Sequence, residues 1–106
     1  GSEGEFTILS DHSPIISSLK PGYIKIYEDL TNEPTIYFVT DGFVDMASNQ
    51  LTILAQSAIE KGELTAKNLE DIINTYQGEA DTTENEAKKN KLNLKIDTVK
   101  ALQGEA

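Results

Sequence analysis

The chain has 106 residues, with 18 acidic side chains against 9 basic ones and a formal charge of −9. That length holds one modest core and not two. Every basic residue is lysine, and residues 1–80 carry 13 acids against 4 lysines while residues 81–106 carry 5 of each. Such a balance argues against sequence-independent binding to nucleic acid or to an anionic membrane, both of which need clustered positive charge. It also leaves no arginine finger and no bidentate guanidinium clamp for phosphate. Without cysteine there is no disulfide framework or thiolate zinc site, and the single histidine cannot build a His-rich metal centre. No apolar run approaches the roughly 20 residues of a bilayer-spanning helix, so no direct bilayer insertion is expected.

The first 60 residues read as short strands. Residues 6–9 alternate weakly, and a second apolar piece at 14–16 follows the turn formers Ser10, Asp11, His12 and Ser13. Lys20-Pro21-Gly22 suits a type II turn, with glycine supplying the positive φ. Residues 23–27 then alternate, with Ile24 and Ile26 on one face and Tyr23, Lys25 and Tyr27 on the other. A polar loop at 29–34 leads into a β-branched and aromatic stretch at 35–40. Asp41-Gly42 predicts a tight turn or bulge, 43–46 continues extended, and 51–56 closes the series. Strands at this spacing predict an antiparallel sandwich or barrel.

The period changes after Gly62. Ala66, Leu69, Ile72, Ile73 and Tyr76 form one apolar stripe at helical spacing, with Thr65 as N-cap and Gly78 as a left-handed C-cap. Thr83 and Glu86 have capping-box spacing for a second helix that ends by Gly104. The predicted architecture is α+β: a β-sandwich domain over 1–60 and a two-helix antiparallel hairpin over 61–106, with helices at about 65–77 and 82–103. On the second helix, Ala87, Leu94 and Ala101 fall within about 40° of each other at 100° per residue, and Leu92, Ile96 and Val99 cluster on nearly the opposite side. Two seams imply two packing partners. The small-residue seam is expected against the first helix, and Leu92, Ile96 and Val99 against the β domain or another protein.

Catalytic constellations are sparse. His12 beside Asp11 fits a solvent-facing turn better than a general base, and pairs such as Glu28-Asp29 or Asp41 with Asp45 arise by chance in an acidic chain, so a small acid-dependent hydrolase finds little support. A carbohydrate- or metabolite-binding sandwich is the alternative reading. It would use Tyr23 and Tyr27 as an aromatic platform, with Tyr37 nearby. From residue chemistry the expectation is a non-enzymatic interaction protein.

The stretch at 1–22, GSEGEFTILSDHSPIISSLKPG, closely resembles the signature of the epsilon-subunit family of bacterial F-type ATP synthases, whose mitochondrial counterpart is called delta. A second block at 39–55, VTDGFVDMASNQLTILA, resembles that family's second conserved stretch, in the right order and spacing. The resemblance covers residues 1–60; the helices match it in layout. Family members carry two further strands before this stretch, so the sandwich is expected to be N-terminally truncated here, with exposed edges.

The resemblance implies a non-catalytic central-stalk rotor subunit that links the gamma subunit to the c-ring during proton-driven ATP synthesis. It also implies a hairpin that extends toward the alpha and beta subunits to brake ATP hydrolysis. Ser2, Glu3 and Glu5 match positions that lie against the c-ring, and His12 and Ser17 match positions that lie against gamma. The implied location is peripheral, on the cytoplasmic face of the bacterial inner membrane or the matrix face of the mitochondrial one. ATP-binding members carry an aspartate and an arginine at the start of the first helix. Thr65 and Asn68 stand at those positions here, so no cofactor and no ATP binding is expected.

Overall fold

A computed structural model describes residues 5–9, 15–27, 32–47 and 50–105. It divides into two compact units, Gly1–Glu63 and Leu64–Ala106. In the first, strands β1 (Glu5–Leu9), β2 (Ile15–Leu19), β3 (Gly22–Tyr27), β4 (Thr35–Val39), β5 (Gly42–Ala47), β6 (Gln50–Ala55) and β7 (Ala58–Glu60) are followed by a 3-10 turn at Lys61–Glu63. They form two sheets, of order β1-β3-β4-β7 and β2-β5-β6. The core joins them into a sandwich. Ile24 and Val39 from the first sheet meet Leu19 and Val44 from the second, with Ile26, Tyr37, Ile53 and Ala55 packed around them.

Within this frame the expected antiparallel pairing holds for every pair but one. β1 runs parallel to β3, with Glu5 opposite Tyr23. The cause is connectivity: the chain leaves β1 for the opposite sheet, forms β2 there, and returns, so β3 re-enters the first sheet in the same sense. β7, not expected from its three residues, lengthens that sheet by pairing Ile59 with Phe38.

The chain crosses between the sheets at Thr40-Asp41 and again at Gln56-Ser57, and the two crossings are hydrogen-bonded to one another. The Thr40 amide donates to the Ser57 carbonyl at 3.0 Å, and the Gln56 amide to the Asp41 carbonyl at 2.9 Å. Gly42 sits at this corner with φ +155°, opposite both Leu19 and Ala55. A Cβ there would lie 1.7 Å from the Leu54 carbonyl oxygen, so only glycine lets β5 and β6 approach. The expected positive-φ turn at Gly22 is not found; Gly22 opens β3 opposite Val39, and Gly42 is the positive-φ glycine among the described residues.

In the second unit, α1 (Ala66–Thr82) and α2 (Glu86–Glu105) pack on each other through a connection of Thr83, Glu84 and Asn85. Thr65 caps α1 as expected, in a reciprocal box with Asn68: the Asn68 amide donates to Thr65 Oγ1 at 3.1 Å, and the Thr65 amide to Asn68 Oδ1 at 2.9 Å. Helix α1 does not stop at Gly78 but continues to Thr82, one turn further. An interior glycine costs about 1 kcal/mol relative to alanine, and the fully buried Ala80 beyond it supplies packing that offsets the loss. The cap of α2 is Asn85, whose Oδ1 accepts from the Lys88 amide at 3.0 Å, rather than Thr83, which closes α1.

Candidate functional site: the exposed interaction surfaces

Ser2, Glu3 and His12 lie outside the described residues. Glu5 stands in β1 opposite Tyr23, and Ser17 in β2 opposite Val44. They occupy different sheets.

A surface that the sequence reading passed over lies on the outer face of the β2-β5-β6 sheet. Alternation along β5 turns Val44 and Met46 inward, leaving Phe43 and Asp45 outside. On β6 the residue opposite Phe43 is Leu54, and opposite Asp45 is Thr52. Phe43 is 57% exposed and Leu54 66%, which makes them a directly paired apolar couple facing solvent. Exposed Ser18 flanks Phe43 on the other side, in β2. Burying a phenylalanine or leucine side chain contributes about 1.5–3 kcal/mol, so this couple can anchor a protein partner. A sequence signal was available: both residues fall out of phase with the inward positions of their strands.

The helical unit corrects the assignment of seams. Leu92, Ile96 and Val99 are buried, whereas Leu94 is 65% exposed and Ala87 and Ala101 are also exposed. The small-residue seam therefore does not face α1. The ring of Tyr76 on α1 lies 5.9 Å from Lys95 Nζ, on the flank of the Leu92 seam, and α1 brings its own buried row of Leu69, Ile73, Tyr76 and Ala80. The reason is area. A single partner helix covers whichever face removes more apolar surface from water, and two branched residues with a leucine exceed two alanines with a leucine.

The tyrosine platform is corrected as well. Tyr37 is the register partner of Ile24 and packs against the core, while Tyr23 belongs to the other face, 5.6 Å from Phe38 in an edge-on contact and 5.4 Å beneath Lys61 Nζ. Tyr23 and Tyr27 share a face of β3, but Tyr37 lies on the opposite, inner face and cannot complete the platform. Among the described residues no group of His, Asp or Glu could hold a metal ion, and no helix is long and apolar enough to cross a membrane.

Comparison with known proteins bears on what these surfaces serve. The family model for the "ATP synthase, Delta/Epsilon chain, beta-sandwich domain" matches residues 1–61. The chain belongs to this family. The ATP synthase epsilon chain of Jannaschia sp. (strain CCS1) is 41% identical over 73 residues, which are 69% of this chain and 54% of that relative. The epsilon chain of Allorhizobium ampelinum is 31% identical over 102 residues, covering 96% of this chain and 75% of the relative. For Rickettsia bellii the identity is 33% over 78 residues, 73% and 72% of the two chains. The match thus spans little more than half of the Jannaschia relative. A chain in the cryo-EM structure of the Euglena gracilis mitochondrial ATP synthase resembles this one at a TM-score of 0.52 and 17% identity, over 89% of this chain and 58% of that one. That likeness concerns the fold. The family resemblance carried by residues 1–60 is borne out by the match to the delta/epsilon sandwich domain.

Proposed function

We propose that this chain is a non-catalytic rotor subunit of an F-type ATP synthase, joining the gamma subunit to the c-ring during proton-driven ATP synthesis. Family membership gives the complex, and the exposed Phe43–Leu54 couple is the observation that favours a docking role. A binding face of this kind needs a rigid support, and the pair stands on adjacent strands whose inner faces fill the core. In this reading Phe43 and Leu54 anchor gamma, with His12 contributing, and Ser2, Glu3 and Glu5 meet the polar loops of the c-ring. Ser17, in register with the inward Val44, is not on the Phe43 face. The subunit sits peripherally, on the cytoplasmic face of the bacterial inner membrane or the matrix face of the mitochondrial one. Its hairpin, extended toward alpha and beta, restrains ATP hydrolysis.

ATP plays no part at the start of α1. Asn68 cannot offer phosphate a charge, and its side-chain oxygen is engaged with the Thr65 amide in the cap. Calorimetric titration with ATP is expected to give no heat of binding; micromolar affinity mapped to Thr65 and Asn68 would overturn this. The docking role is tested by crosslinking from cysteines placed at positions 5 and 12 of this cysteine-free chain in reassembled complex. Position 5 should capture the c-ring and position 12 gamma. The reverse pattern, or no product at either, refutes the assignment.

A further inference from the structure

We draw no further inference here: the strongest candidate, the exposed Ala87–Leu94–Ala101 face of helix α2, is a stripe of small residues around one leucine, and nothing in the structure shows what covers it.

Discussion

Leu92 and Leu94 offer a controlled comparison, because the same side chain occurs twice, two residues apart, on the two faces of α2. Leu92 is 4% exposed and Leu94 65%. Counting equally from the Thr83–Asn85 connection, Leu92 falls level with Tyr76, in the middle of the row formed by Leu69, Ile73, Tyr76 and Ala80. Leu92→Ala therefore leaves a gap at the centre of the packing, and buried leucine truncations cost about 2–5 kcal/mol. Leu94→Ala removes a side chain already in water and substitutes an equally good helix former, so its effect should stay within about 0.5 kcal/mol.

The contrast matters more because the unit is small. Stability of about 0.05–0.15 kcal/mol per residue gives the segment Leu64–Ala106 roughly 2–6 kcal/mol in all. Leu92→Ala should then remove most of it. Helix content followed by circular dichroism through a urea titration would report the loss, and amide hydrogen exchange would assign it to α1 and α2. Equal cost at both positions, or a larger cost at Leu94, would show that the small-residue seam is the packed one and refute the area argument.

Other consequences follow from the sandwich and the caps. Gly42→Ala should destabilise the sandwich by at least about 2 kcal/mol, since overpacking costs about 1–3 kcal/mol and backbone strain adds to it; a urea midpoint unchanged from the parent would contradict the close approach at Leu54. Thr40 is buried and its Oγ1 finds no hydrogen-bond partner among the described residues. Thr40→Val should consequently leave the midpoint unchanged or raise it, because it removes a desolvated hydroxyl at nearly constant shape; a loss above about 1 kcal/mol would indicate that the hydroxyl is bonded, for instance to water. Thr65→Ala should cost about 0.5–2 kcal/mol, as loss of an N-cap does, and be read by accelerated exchange of the first-turn amides of α1.

How far the sequence could be read depended on whether the deciding interaction was local. Alternation at 23–27 grouped Ile24 with Ile26 on one face, and that face is the inner one, since side chains on a strand with one buried face have a period of two. The sheet to which each strand belongs is another matter. The parallel β1–β3 pair depends on β2 lying in the opposite layer, which no pattern within β1 or β3 records. The Thr65 cap was legible because its partner, Asn68, lies three residues on. Gly78 misled because glycine commonly ends helices, yet here contacts made by Ala80 extend α1 past it. Thr83 misled in the same way: its spacing to Glu86 fits a capping box, but Asn85 lies immediately before the helix and binds the Lys88 amide.

The seams show why a surface is harder to read than a core. Periodicity on α2 correctly separated two apolar faces but carried no information about which one the hairpin would use. That choice rests on the opposing row of α1, whose leucine, isoleucine and tyrosine fit a large seam and leave no advantage to a close approach through alanine. The same reasoning explains Phe43 and Leu54. Each is unremarkable alone, since scattered exposed apolar residues are normal on any protein. They become a candidate docking face because β5–β6 pairing sets them opposite each other, and pairing register is a property of two strands together. Local pattern thus identifies which residues face inward, while partner choice, in the hairpin as in the sandwich, is decided by what the fold brings alongside.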